Sequence, residues 1–316
     1  MLTFFDKLYG SIKDKNSFLK KIRFYSAERF IIRKLANFAL PIYFRFTANN
    51  PNNSLYLMGN GQYRIIVSLT SFPIRIKKVW LVIETILRQS QKPDAVVLWL
   101  SKEQFPSWNT LPTNLLKLRK RGLRIELKDG DLLSHKKYYY ALREFPNDII
   151  ITVDDDVFYP TGMIENLMKW HHKFANTVVA RYGNKIKVVN KSVSKYQEWE
   201  VNFEQTAPDF SVFFGSGGGT LFPPDSLPAE TLNKQLFMNL CLYADDIWLN
   251  TMCRLNYVKI FRAHTCQCSL LPILNKKNSS LYTQNIGKNL NDIQLKKVRD
   301  YFIFNKGIDP YSEILK

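Results

Sequence analysis

Apolar residues change rhythm near position 64. Beyond it, runs short enough for strands alternate with stretches at helical spacing. Arg64-Ile65-Ile66-Val67-Ser68-Leu69 predicts a buried strand, and Val79, Ile83, Ile86 and Leu87 a helix. Ala95 to Leu100 then reads as a second strand and Leu111 to Arg121 as a second helix ended by Gly122. Leu123 to Leu127 is a third strand, Lys136 to Phe145 a third helix and Asp148 to Val153 a fourth strand. Such alternation implies an α/β fold, a mostly parallel sheet flanked by helices. Ligands of such sheets bind outside the carboxyl ends of the strands.

The rhythm is weaker elsewhere. Met163 to Phe174 predicts a helix and Thr177 to Arg181 a strand, whereas Lys185 to Trp199 is polar and gives no assignment. Phe213 to Phe222 is apolar, then glycine-rich, then apolar. Asp245 to Asn256 predicts a helix, Tyr257 to Phe261 a short strand, and a last helix falls near Asp292 to Phe302. Near the N-terminus Phe18, Ile22 and Tyr25 share one helical face, and Ile31, Leu35 and Phe38 continue an apolar stripe. The polar run Thr47-Ala48-Asn49-Asn50-Pro51-Asn52-Asn53-Ser54 reads as a linker. The expected organisation is a basic amphipathic extension with its linker over residues 1–54, a catalytic domain over 55–270 and a tail with one helix over 271–316.

Composition changes the picture at two points. The 316 residues are 46% hydrophobic and 23% charged, a globular balance that excludes disordered and low-complexity classes. Lysine and arginine total 45 against 27 acids, a net charge of +18 that predicts an anionic partner. Residues 1–46 alone hold ten Lys/Arg and three Asp/Glu among interleaved aromatics, a pattern that suits the surface of an anionic membrane. The longest apolar run, Leu35 to Phe44, contains Asn37 and Pro41 and is too short to span a bilayer. Charged residues occupy the place of a signal-peptide core, so the expected location is cytoplasmic, peripheral at the inner face of the membrane. Four cysteines are too few for a disulfide framework, and Cys266-x-Cys268 lacks the second pair of a zinc site.

The sharpest chemical feature is Asp154-Asp155-Asp156 at the end of an apolar strand. Adjacent carboxylates repel, and a hard divalent ion such as Mg²⁺ or Mn²⁺ neutralises them with oxygen ligands, commonly together with a phosphorylated substrate. The first strand ends in Ser68-Leu69-Thr70-Ser71-Phe72-Pro73, not G-x-G-x-x-G, which argues against a dinucleotide site. Gly215-Ser216-Gly217-Gly218-Gly219 is no P-loop, but small residues let a ligand approach backbone amides. Asp245-Asp246 opens a helix, where an acid can cap the helix or act as a general base.

Together these pieces resemble bacterial glycosyltransferases of the GT-A (Rossmann-like) type, the family-2-like group of surface polysaccharide synthesis. The resemblance runs from about Arg64 to His264. It rests on Val67 to Pro73 with Arg75, on Glu84-Thr85-Ile86-Leu87-Arg88-Gln89-Ser90 and on Lys92-Pro93-Asp94. The acid triplet as a D-x-D motif, the glycine-rich segment and Asp245-Asp246 complete it. It implies that Thr70 and Arg75 contact the nucleotide, that Asp131 reads the base or ribose, and that Lys136 and Lys137 lie near the donor. Asp154 would reach the ribose, and Asp155, Gly217 and Gly218 would join the donor site. Asp156, with Asp154 and His264, would bind the metal, and Asp246, or Asp245, would be the base. The implied reaction moves a sugar from a nucleotide-diphosphate sugar to a hydroxyl of a glycan or lipid-linked acceptor, with Mn²⁺ or Mg²⁺ and with inversion.

Two other classes compete. A nucleotidyl-transfer or nucleic-acid-associated metal enzyme fits the charge and the acids, but no helix-turn-helix, zinc or RNA-recognition signature accompanies them, so no nucleic-acid partner is expected. A non-catalytic membrane-surface module leaves the acid triplet unexplained.

Overall fold

The computed structural model describes residues 1–12, 17–55, 63–263, 270–275 and 289–316. Three helices open the chain, α1 (Leu2–Gly10), α2 (Ser17–Lys21) and α3 (Phe24–Phe46). There follow β1 (Ile65–Thr70), α4 (Val79–Leu87), β2 (Ala95–Ser101), α5 (Thr113–Lys117), β3 (Leu123–Lys128), α6 (Lys136–Glu144) and β4 (Ile149–Val153). Next come β5 (Val157–Phe158), α7 (Met163–Lys173), β6 (Val178–Ala180), β7 (Gly183–Lys185), β8 (Val188–Val189), β9 (Ser192–Val193), β10 (Val212–Phe214) and β11 (Gly218–Phe222). The chain closes with α8 (Lys234–Leu240), α9 (Asp245–Leu255), β12 (Ile260–Arg262), β13 (Leu271–Pro272), α10 (Leu290–Lys306) and α11 (Ser312–Leu315).

The main sheet has seven strands in the order β12-β6-β11-β4-β1-β2-β3. Neighbours among β4, β1, β2 and β3 pair in parallel, as do β12 and β6. β11 runs antiparallel to both its neighbours, β4 and β6, so the sheet is mixed. The α/β class and the flanking helices are as expected. The antiparallel strand brings the glycine-rich turn before it to the carboxyl end of β4, where Gly218 pairs with Val153.

Alternate strand residues feed two cores, one on each face. Ile65, Val67 and Leu69 face α4 and α7, and Ile66 faces the core that holds Tyr138 of α6 and Trp248 of α9. Ser68 is the polar exception. It accepts from Trp99 Nε1 at 2.8 Å and donates to the Lys137 carbonyl, which pins the start of α6 to the central strand.

The division of the chain at residue 54 does not separate two cores. Leu2, Phe5 and Tyr9 of α1 and Ile32, Ala36, Leu40 and Phe44 of α3 are buried in the same core as β1 and α4. Each of the leucine, isoleucine and phenylalanine side chains contributes about 2 kcal/mol by burial. The expected linker is likewise held, since Arg121 donates to the Asn53 carbonyl at 2.6 and 3.0 Å. Leu295, Val298, Phe302 and Tyr311 bury the C-terminal segment in the second core. Among the described residues, no helix is long and apolar enough to cross a membrane.

Candidate functional site

Five pieces of chain meet at the carboxyl end of β4: the residues after β1, the acid triplet after β4, the turn before β11, and the first turns of α6 and α9. Lys137 joins three of them. It is buried, and its Nζ lies 2.8 Å from Asp154 Oδ1 and 3.1 Å from Asp245 Oδ2. Ser216 of the glycine-rich turn donates to the same Asp245 oxygen at 2.6 Å. On the other side, Arg75 reaches Asp155 Oδ1 at 2.6 Å and Asp156 Oδ2 at 2.9 Å.

Several of the expected donor residues are bonded to other groups of the protein. The Asp155 carboxylate is buried, with Ser71 Oγ donating to it at 2.6 Å and Arg75 on its other oxygen, so both oxygens are engaged within the protein and it anchors the triplet. Arg75 correspondingly holds the acids together and lies over Phe72 at 5.1 Å. Lys136 is buried and paired with Asp131, which also accepts from Gln104 Nε2 and the Leu133 amide. Thr70 Oγ1 donates to the Trp99 carbonyl at 2.8 Å. These bonds rigidify the loops after the strands. What is left open to solvent is Asp154, with half of its side chain exposed, and Asp156, with a third. His264, the third expected metal ligand, lies outside the described residues. Among the described residues no group of three His, Cys, Asp or Glu side chains converges as a metal cage.

The glycine-rich turn packs closely against the acid triplet. A Cβ on Gly217 would sit 1.8 Å from Asp154 Cγ, so this glycine makes room for a carboxylate of the protein. A Cβ on Gly218 would meet Tyr182 Cβ at 3.0 Å. The Gly217 carbonyl accepts from the Asp154 amide at 3.0 Å and from Tyr159 Oη, and that amide also lies 2.7 Å from Tyr159 Oη. Tyr159 and Ser216 therefore support Asp154 and Asp245; Ser216 lies in the glycine-rich segment the sequence singles out, whereas nothing in the sequence marks Tyr159. Gly217→Ala is expected to cost about 1–3 kcal/mol in urea unfolding by overpacking. The same change in an Asp154→Ala background should cost far less, because the clashing carboxylate is gone; equal costs in the two backgrounds would refute the contact.

The electrostatics separate the acids. Burial alone would raise Asp245, but Lys137, with help from the Ser216 hydrogen bond, pulls it down to about 2. Asp246 goes the other way. Burial and the neighbouring Asp245 charge push it up to about 7 against the opposing pull of Lys137. Burial and Asp154 likewise raise Asp156 to about 6. Asp245 does not cap α9, whose first turn has no side-chain cap; it is the buried counter-ion of Lys137.

With Asp246 protonated, Asp154, Asp155, Asp156 and Asp245 face Arg75 and Lys137, an excess of two negative charges in a chain of net charge +18. Hard oxygens and uncompensated negative charge fit a divalent cation. Elsewhere, an open groove of about 740 Å³ runs along β3, lined by Lys102, Trp108, Arg119 and Arg124 among others. None of the expected site residues lines it.

The fold and site define an α/β protein with an acid-rich centre at the strand ends. No protein-family model matches the chain, and no curated protein matches it. Among solved structures, it is similar to a mannosyltransferase from Pyrobaculum calidifontis in complex with GDP-Man and Mn²⁺, at 14% identity and a TM-score of 0.46. That match covers 90% of this chain and 78% of the other. It is also similar to 4-diphosphocytidyl-2C-methyl-D-erythritol synthase from Anaerococcus prevotii, at 16% identity and a TM-score of 0.41, over 65% of this chain and 94% of the other. Likenesses this weak assign no chemistry to this chain.

Proposed function

We propose that the protein is a glycosyltransferase that moves a sugar from a nucleotide-diphosphate sugar to a hydroxyl of a glycan or lipid-linked acceptor, with inversion. The observation that carries the reading is the split acid pair. Asp245 stays ionised beside Lys137, while Asp246 is tuned to about 7, where a general base works best at neutral pH. Asp246 takes the proton from the acceptor hydroxyl as its oxygen bonds to the anomeric carbon and the bond from that carbon to the diphosphate oxygen breaks. Inversion follows from this single displacement, for which no second carboxylate is needed as nucleophile.

Asp156, with Asp154, would hold a divalent ion, Mn²⁺ or Mg²⁺, whose chemistry is to offset charge on the departing diphosphate. Arg75 and Ser71 orient the acid triplet through Asp155, and Lys137 fixes Asp154 relative to Asp245. The donor therefore meets a frame already set by hydrogen bonds, which lowers the cost of arranging it. Contact with an anionic membrane, at the inner face in the cytoplasm, belongs to the same reading.

A panel of nucleoside diphosphates, each with and without Mn²⁺, tests the donor site by thermal shift. One nucleotide should raise the melting temperature only with the metal, in proportion to the logarithm of its concentration over its Kd. Asp156→Ala should abolish that shift and reduce transfer more than about tenfold, or about 1.4 kcal/mol in the barrier. Transfer that persists within that limit would remove Asp156 from the metal site. The by-product separates the rival chemistry, since sugar transfer releases a nucleoside diphosphate and nucleotidyl transfer releases pyrophosphate.

A further inference from the structure

α3 has two apolar faces, and the fold uses only one. Ile32, Ala36, Leu40 and Phe44, four residues apart, are buried against the domain. Phe24, Ile31, Leu35, Phe38, Ile42 and Phe46 are exposed, from 40% at Ile42 to 85% at Phe46. At 100° per residue these six fall within an arc of about 80°, roughly opposite the buried face. Phe18 and Ile22, at 65% and 55%, extend the apolar surface just before the helix. Twelve of the 21 large apolar side chains exposed among the described residues lie in positions 1–46, and six of them form this one stripe.

The charge around the patch selects the occupant. Lys34 and Arg45 are exposed and flank one side of the stripe, and Lys21 and Arg23 are exposed just before it. Glu28 is the one acid of the helix, and it is half-buried. A second copy of this chain would bring the same cations against these, whereas an anionic lipid surface complements them and accepts the aromatic and aliphatic side chains at the headgroup boundary.

The helix is also bonded to the acid centre. The Asn37 side chain donates to the Pro272 carbonyl at 3.0 Å and accepts from the Leu274 amide at 2.8 Å. Between those residues, the Ile273 amide donates to the Asp156 carbonyl at 2.7 Å, and β13 pairs with β5 directly after the triplet. We propose that the exposed face of α3 is a docking surface for an anionic bilayer, and that Asn37 and β13 fix the acid centre relative to that surface. This rests on the transferase reading above and favours the lipid-linked acceptor of that reading, which such a surface would present to the acid centre.

Co-sedimentation of the full chain with vesicles tests the docking without any sugar donor, so its failure leaves the transferase reading standing. At low salt the protein should bind vesicles of phosphatidylglycerol and phosphatidylcholine and not phosphatidylcholine alone. Binding should weaken as salt screens the surface potential. Leu35→Asp with Phe38→Asp should lower the bound fraction about tenfold or more. The melting temperature should be unchanged, because both side chains are exposed. Unchanged binding by this double variant would overturn the proposal. So would a concentration-dependent dimer in sedimentation velocity that the same variant dissociates, which would assign the stripe to a second copy.

Discussion

Replacing Lys137 with methionine is expected to lower stability by about 3 kcal/mol at neutral pH, the cost of removing one partner from a buried ion pair. The side chain is buried, and it is the cation on Asp245 and Asp154. The sign of the pH dependence separates this account from lost packing. In the native protein Asp245 is depressed to about 2, so its contribution is present above the ordinary carboxylate range and lost as pH falls toward 2. Without Lys137 the opposing influence of burial wins, and the Asp245 carboxyl prefers its proton. The penalty of the variant should therefore be smaller at pH 5 than at pH 8. Melting temperatures of both proteins at the two pH values decide it, and a penalty independent of pH would leave Lys137 as packing only.

The parts of this arrangement differ in how far the sequence shows them, for physical reasons. β1 to β4 are legible because a strand buried on both faces is a continuous apolar run, and Ile149-Ile150-Ile151-Thr152-Val153 has no other comfortable home. The acids stand out because carboxylates at a strand end need a counter-charge. The direction of β11 is not legible, since an apolar run reads the same either way, yet that direction delivers Ser216 and Gly217 to Asp154 and Asp245. The short strands β7, β8 and β9 carry too few residues for a period to show.

α3 shows a different limit. Helical spacing reveals Ile31, Leu35 and Phe38 as a stripe, and Ile32, Ala36 and Leu40 obey the same period. Only the tertiary contacts decide which set is buried. Pairings between residues distant in the chain, such as Lys137 with Asp245 and Arg75 with Asp155, leave no local trace at all. For that reason the resemblance indicated residue types at the site but not which of them hold one another.

Asp246→Asn is expected to lower turnover by about 10²–10⁴-fold, the range for loss of a positioned base, while nucleotide affinity stays the same. It should also stabilise the protein at alkaline pH. The folded state holds the Asp246 proton up to about 7, well above the unfolded value, so stability falls as pH rises between the two. Asparagine carries no such charge. After discounting for solvent contact, a gain of about 1–2 kcal/mol should appear above pH 7 and vanish in acid. Transfer by the native protein should rise with pH through about 7, as the base loses its proton. Asp245→Asn provides the complementary test. It removes the charge that, after burial, does most to raise Asp246, so the acid limb of the profile should move to lower pH while the base remains. It also takes a partner from buried Lys137, so melting should come earlier. Turnover, nucleotide affinity, melting temperature and the pH profile of both variants distinguish the roles. An inactive Asp245→Asn beside an active Asp246→Asn would reverse them, and full activity in both would rule out a carboxylate base.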